Sequence, residues 1–277
     1  MAEIQRFRAK IWAYYETSGR HELPWRLNLD PYAILVSEIM LQQTQVARVV
    51  PKYAEFLRAL PDFATLAAAS QAQVLTLWQG LGYNRRALNL QRAAAIVVRD
   101  YGGVLPRDPA ELVGLPGIGP GTAGSLAAFV YDASVVFIET NIRRVFIHEF
   151  FGAQTAAGDK VADSEILPLI EATLDHNRPR EWYWALMDYG AMLTTKLAAN
   201  KTPNPNRASR HYARQSTFAG SHRQLRGELI RYFLTHKSAS PVTLKRAFPD
   251  QRLEKALQEL VSEGFIEKRA KTYRLKV

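Results

Sequence analysis

Leu115-Pro116-Gly117-Ile118-Gly119 is the stretch on which the fold is read. It lies between two runs of helical apolar spacing, 108–114 and 121–131. Two glycines two positions apart permit a tight turn and a close backbone approach to whatever fills it. The second run starts near Pro120, so its first N–H groups lack partners inside the helix and point at the turn. Free donors and the helix dipole together favour an anion, and a phosphate satisfies both. This is the pattern of a helix-hairpin-helix, which grips a phosphate backbone without reading bases. An ordinary inter-helix turn is the competing reading.

Outward from that turn the chain reads as mainly helical. Helical spacing recurs over 4–18, 31–42, 46–59, 71–79, 85–101, 139–151, 162–175 and 181–194. Pro24, Pro61, Gly80, Gly82, Gly102, Gly103 and Gly158 punctuate it. Asp30-Pro31 and Asp108-Pro109 set a capping acid before a first-turn proline. The best strand signal, 134–138, is short.

At 277 residues and 47% hydrophobic, the chain can build cores for two domains. With no cysteine, disulfides, thiolate metal sites and cysteine nucleophiles are excluded together. The six histidines are scattered, which argues against zinc. No apolar run suits a membrane span or signal core, so the expectation is a cytoplasmic, nucleoid-associated protein. Residues 1–200 hold 19 Lys+Arg against 20 Asp+Glu, whereas 201–277 hold 17 against 6. That asymmetry suggests a polyanionic partner; a solubilising surface is the alternative.

Three segments follow: a core over 1–195, a basic connector over 196–222 and a unit over 223–277. In the last, Leu225, Leu229, Ile230 and Phe233 mark one helix, 242–248 a second, and Leu253, Leu257, Leu260 and Val261 a third. Two strand-like runs around a basic turn come next. Three helices and a hairpin make a winged-helix-like domain. Lys268, Arg269, Lys271 and Arg274 on the wing favour DNA, although winged helices also bind proteins.

Two carboxylates stand out. Glu38 lies within an apolar helix, near Ile34, Leu35, Ile39 and Leu41 in sequence. Burial there would raise its pKa into the range of a general acid at neutral pH; a solvent-facing position is the alternative. Glu139 ends Val-Val-Phe-Ile and opens the next helix, where it is either a plain helix-terminal acid or a second catalytic carboxylate. Breaking a glycosidic bond calls for such a pair, one group protonating the leaving group and one stabilising the sugar cation. The loop tips Gln42-Gln43-Thr44 and Leu81-Gly82-Tyr83 offer amide and aromatic groups able to wedge into a base stack.

Leu23-Pro-Trp-Arg, Val36-Ser-Glu-Ile-Met-Leu-Gln-Gln-Thr-Gln-Val, Trp78-Gln-Gly-Leu-Gly-Tyr, Leu115-Pro-Gly-Ile-Gly, Asn141-Ile-Arg-Arg-Val and Met187-Asp-Tyr-Gly-Ala-Met occur in that order. Over about residues 4–194 the chain resembles the MutY adenine DNA glycosylases, relatives of endonuclease III. The resemblance implies a two-lobed helix-hairpin-helix glycosylase core acting on mismatched or damaged double-stranded DNA, with the target base flipped out. It implies that Glu38 protonates adenine and handles water, and that Glu139 stands for the family's catalytic aspartate beside Asn141. Arg26 falls on a base-pocket residue. Gln43 and Tyr83 fall on residues that fill or pry the stack, and Thr44 and Leu81 on contacts to the opposite base. Pro116, Gly117, Ile118, Gly119, Gly121 and Thr122 belong to the DNA-gripping hairpin, which leaves room for a monovalent cation. A monomer is expected.

The departures matter equally. The family's four cluster cysteines fall at Thr194, Lys201, Asn204 and Arg210, so no iron–sulfur cluster is expected. Lys201, Arg207, Arg210 and Arg214 are expected to take over backbone contact as phosphate ligands. Glu139 is a methylene longer than the aspartate it replaces. The lysine nucleophile of bifunctional relatives falls at Gly121, so a monofunctional enzyme is expected. No counterpart is expected in residues 223–277 to the family's C-terminal domain, which checks for 8-oxoguanine. Excision of uracil or thymine opposite guanine, or DNA binding without catalysis, stand as alternatives to adenine excision.

Overall fold

A computed structural model describes all residues except Ala157, Gln215, Ser216 and Val277. Two of these fall within the expected connector. The described helices are α1 (Ala2–Ser18), α2 (Pro24–Leu27), α3 (Pro31–Leu41), α4 (Val46–Ala59), α5 (Phe63–Ala68), α6 (Gln71–Leu77), α7 (Arg85–Tyr101) and α8 (Pro109–Val113). There follow α9 (Pro120–Tyr131), α10 (Thr140–Phe150), α11 (Gly152–Ala156), α12 (Asp163–Thr173), α13 (Pro179–Ala199), a 3-10 turn (Pro205–Ala208), α14 (His222–His236), α15 (Pro241–Ala247) and α16 (Leu253–Ser262). Strands β1 (Ser238–Ala239), β2 (Ile266–Arg269) and β3 (Thr272–Leu275) lie near the end. None of the described helices is long and apolar enough to cross a membrane.

The expected caps form. Asp108 accepts from Ala110 N at 2.9 Å and Asp30 from Ala33 N at 3.0 Å, each ahead of a proline that has no N–H to lose. The expected strand over 134–138 does not form. That segment is extended without a partner strand: Phe137 packs on Gly124, where a Cβ would lie 2.3 Å away, and Val135 O accepts from Tyr183 Oη at 2.6 Å. That carbonyl is satisfied by a side chain instead of a ladder.

The chain divides into two compact units. One comprises residues 1–38, 106–114 and 118–214, the other 39–105, 115–117 and 215–277. In the first, α1, α9, α10, α12 and α13 build a core around Phe7, Ile11, Phe146 and Trp182. Helix α9 is buried without interruption from Ala123 to Phe129, as an apolar helix without a polar face must be. The α10–α13 approach depends on Gly190, where a Cβ would lie 2.7 Å from Asn141 O.

In the second unit, α4, α5, α6 and α7 pack around Phe56, Leu66, Leu75 and Trp78. Helices α14, α15 and α16 carry an antiparallel sheet of order β1-β3-β2, with Ser238 opposite Arg274 and Lys268 opposite Tyr273. This is the winged-helix arrangement. It sits on the same unit as α6 and α7: Gln71 Nε2 donates to Phe265 O at 2.9 Å and Arg92 to Glu263 O at 3.3 Å.

Candidate active site

In the first unit, burial brings two carboxyl groups within electrostatic reach of each other. Between Tyr32 and Met40 every residue of α3 is buried except Glu38, which is half-buried, so the helix has no solvent face for Glu38 to occupy. Desolvation raises Glu38 to about 7, with the charge of Glu139 adding to the rise. A hydrogen bond from Ser125 and the charge of Arg26 work against it. Ser125 Oγ lies 2.5 Å from Glu38 Oε2 and 2.9 Å from Thr122 O. A hydroxyl has one proton and cannot serve both acceptors at once. With Glu38 ionised, Ser125 donates to it. With Glu38 protonated, Ser125 donates to Thr122 and accepts from the carboxyl, so either form is accommodated.

Glu139 caps α10. Its Oε1 accepts from Asn141 N at 2.7 Å and Ile142 N at 2.8 Å. Burial raises its pKa, and the two N–H bonds with Arg144 and Arg143 pull it back. Both N–H bonds hold the carboxylate on the N-terminal end of α10. Asn141 Nδ2 reaches Glu139 Oε2 at 3.4 Å, and Asn141 Oδ1 accepts from Arg144 Nη1 at 2.7 Å. Arg26, 8% exposed, is held in a bidentate pair with Asp188, at 2.7 and 2.9 Å. Its charge still acts on Glu38. The structure thus brings Glu38, Glu139, Asn141 and Arg26 together.

Around the hairpin, Gly117 has φ +84° and a Cβ there would lie 2.9 Å from Asn89 Cβ, so glycine is required twice over. Gly119 caps α9 and is exposed, whereas the Ile118 side chain is buried and Pro116 is half-buried. Gly121 and Thr122 lie half-buried in the first turn of α9. A Cβ at Gly121 would come within 3.1 Å of Ile138 O.

The second unit organises the two loop tips. Gln43 and Tyr83 both take left-handed backbone, φ +56° and +47°, which non-glycine residues seldom hold without support. Arg86 supplies that support. Its Nη1 donates to the carbonyls of Ile39, Met40 and Gln42 at 2.8, 2.8 and 2.6 Å. Its Nη2 donates to Thr44 Oγ1, Leu81 O and Gly82 O at 3.0, 3.2 and 3.0 Å. Gln43 is exposed and Thr44 and Tyr83 half-buried, but the Leu81 side chain is only 2% exposed; its carbonyl is tied up with Arg86.

Sequence reading passed over Arg86, Ser125, Arg144 and Asp188. Arg86 carried a signal: it lies on the apolar stripe of α7 with Leu90, Ala94 and Val97.

The positions matching the family's cluster cysteines do not fit an iron–sulfur cluster, since none offers a thiolate. Thr194 Oγ1 donates to Gly190 O at 3.2 Å, and Lys201 has φ +55°. Asn204 caps the 3-10 turn and accepts from Arg144 Nε at 3.3 Å, while Asn206 Nδ2 donates to Thr140 O at 3.0 Å. Arg210 N donates to Val161 O at 3.0 Å. Amide hydrogen bonds thus pin the connector to the end of α10. Lys201, Arg207, Arg210 and Arg214 are all exposed on it.

Residues 36–169 match the model of the HhH-GPD superfamily base excision DNA repair proteins. The chain is 35% identical to the adenine DNA glycosylase of Mycolicibacterium smegmatis, over 94% of this chain and 92% of that one. It is 37% identical to the adenine DNA glycosylase of Mycobacterium tuberculosis, over 79% and 76%. The human adenine DNA glycosylase is 35% identical over 70% of this chain, which corresponds to 37% of its own length. Among solved structures, a thermostable thymine-DNA glycosylase superposes with TM-score 0.62 at 26% identity, covering 69% of this chain and 87% of that one. A trapped endonuclease III–DNA covalent intermediate has the same fold, with TM-score 0.59 over 69% and 86% at 18% identity.

Proposed function

The chain belongs to the adenine DNA glycosylase family of the HhH-GPD superfamily, and we propose that it hydrolyses the N-glycosidic bond of adenine mispaired with guanine or 8-oxoguanine. The observation that carries this reading is the shared pocket, in which a carboxyl raised to about 7 feels the charge of a second one capped by two N–H groups. Protonated Glu38 donates to the ring of the extruded adenine. The C1′–N9 bond then breaks, the base leaves neutral, and Glu139 stabilises the oxocarbenium-like sugar. Glu38, now ionised, takes a proton from the water that attacks C1′, and an abasic site results. Asn141 and Arg26 hold the carboxylates and the base in place.

On this reading residues 1–195 perform the chemistry, 196–222 grip the backbone through Lys201, Arg207, Arg210 and Arg214, and 223–277 add a further contact to the duplex. The α9 hairpin holds a phosphate at the N–H groups of Ile118, Gly119 and Gly121. Gln43 and Tyr83 wedge the stack, and Thr44 and Leu81 contact the opposite base. Gly121 supplies no amine for a Schiff base, so the enzyme is monofunctional and leaves the strand uncut. It acts as a monomer wherever the cell keeps its chromosomal DNA.

The test is base release from a panel of duplexes carrying adenine, uracil or thymine opposite guanine, 8-oxoguanine or cytosine, scored as abasic sites. Release of adenine is expected. Thymine belongs in the panel because of the thymine-DNA glycosylase neighbour, and adenine left untouched throughout would overturn the proposal.

A further inference from the structure

Five side chains of the second unit form a column in which aromatic rings and guanidinium groups alternate: Trp78, Arg86, Tyr83, Arg223, Phe218. Arg86 lies 5.4 Å from the Trp78 ring centroid and 5.6 Å from that of Tyr83. Arg223 lies 5.1 Å from the Tyr83 centroid and 5.5 Å from that of Phe218. Each spacing is within the reach of a cation–π attraction. Arg223 also donates to Tyr83 Oη. The column begins at Trp78, which is fully buried, and ends at Phe218, which is 57% exposed.

The inner members are fixed by the core. The outer two come from the C-terminal segment, and they reach Tyr83, the half-buried aromatic residue of the 81–83 loop. Phe218 meets Arg223 and leaves more than half of its surface in water. It gains a partner if a flat, polar-edged ring system lies against it, and a nucleobase is such a ring. The guanidinium adds a fork of donors suited to the acceptor edge of a purine. The surrounding charge agrees, since residues 201–277 hold 17 Lys+Arg against 6 Asp+Glu.

We propose that Phe218 and Arg223 contact the base opposite the excised one, so that the C-terminal segment helps choose that base. This rests on the reading of Tyr83 as the wedge in the stack. Arg223 then has two tasks: it steadies the Tyr83 hydroxyl and presents its own edge to the orphaned purine, with Phe218 stacking beside it.

The experiment is equilibrium binding of the full-length protein to duplexes with a tetrahydrofuran abasic analogue at the target position. Opposite it stands guanine, 8-oxoguanine, cytosine or a baseless spacer. The wild type should prefer a purine over the spacer. Phe218→Ala should lower that preference by about fivefold or more, with binding to the spacer duplex nearly unchanged. Arg223→Ala, which also unties the Tyr83 hydroxyl, should weaken purine duplexes by at least about fivefold more than it weakens the spacer duplex. Arg223→Lys, which keeps the charge but loses the planar fork, should behave like Arg223→Ala. Phe218 is exposed, so its truncation leaves the core intact. Equal loss on every duplex including the spacer, or no loss on any, would overturn the proposal. Because this readout needs no base release, a protein inactive on adenine would refute the proposed function while leaving this inference to stand or fall on its own numbers.

Discussion

Around Glu38 the protein buries a negative charge, and around Arg86 it buries a positive one, but the two burials end differently. Glu38 faces one hydroxyl that must divide a single proton between two acceptors, and a neighbouring carboxyl repels its charge. Its affinity for a proton rises to about 7, where a small change in surroundings moves that proton. Arg86 shares its terminal N–H groups among six oxygens. Burial lowers it to about 10, which leaves it charged at neutral pH and fixed in place. A buried carboxyl with few donors takes up a proton readily, whereas a guanidinium whose two terminal nitrogens meet six oxygens acts as a structural rivet, although its buried Nε has no partner among the described residues.

That contrast breaks first at Glu38. Glu38→Gln keeps shape but loses the proton, and single-turnover base release should fall by about a thousandfold while DNA affinity stays within a few-fold. The same variant reports on linkage. The folded pKa of Glu38 lies above its usual 4.5, so its stabilising contribution is full below about 4.5 and is lost as pH rises through about 7. At pH 8 Glu38→Gln should therefore unfold at higher denaturant than the wild type, by up to about 3 kcal/mol. Equal stability at pH 8 would mean that the carboxyl is solvated in the folded protein.

Arg86→Lys tests the other side. A lysine cannot span two loops with a planar fork, so several buried carbonyls lose their donor and stability should drop by about 3 kcal/mol in denaturant unfolding. An unchanged midpoint would show that the loops hold their positive-φ tips unaided. In the connector, Asn206→Ala removes one buried amide hydrogen bond to Thr140 O and should cost about 1 kcal/mol. Neutralising Lys201, Arg207, Arg210 and Arg214 together should leave stability alone and flatten the salt dependence of DNA binding, by up to about 0.9 in slope for each phosphate that the variant no longer neutralises. A slope that does not change would show that the connector stays clear of the DNA backbone.

Much of this was legible before any coordinates. Apolar spacing gave the helices, the paired glycines gave the hairpin, and the order of motifs gave the family. From the residues alone Glu38 and Glu139 each kept an ordinary alternative, a solvent-facing acid and a plain helix cap, and it was the resemblance that paired them. The residues that support them were not legible. Ser125, Asp188 and Arg144 act through partners tens of residues away, and separation in sequence hides such pairs. The 134–138 segment misled because β-branched residues favour extended backbone whether or not a partner strand exists. The Phe218–Arg223–Tyr83 contact joins positions 140 residues apart, which no local pattern reveals.

The most direct test of the central claim, a mobile proton held on Glu38 inside the pocket it shares with Glu139, is the pH profile of single-turnover adenine release by the wild-type protein. The account predicts a rate that is level at acid pH and falls about tenfold per pH step above a break near 7, as the acid form of Glu38 is depleted. A profile flat from pH 6 to 9, or a break near 4.5, would contradict it.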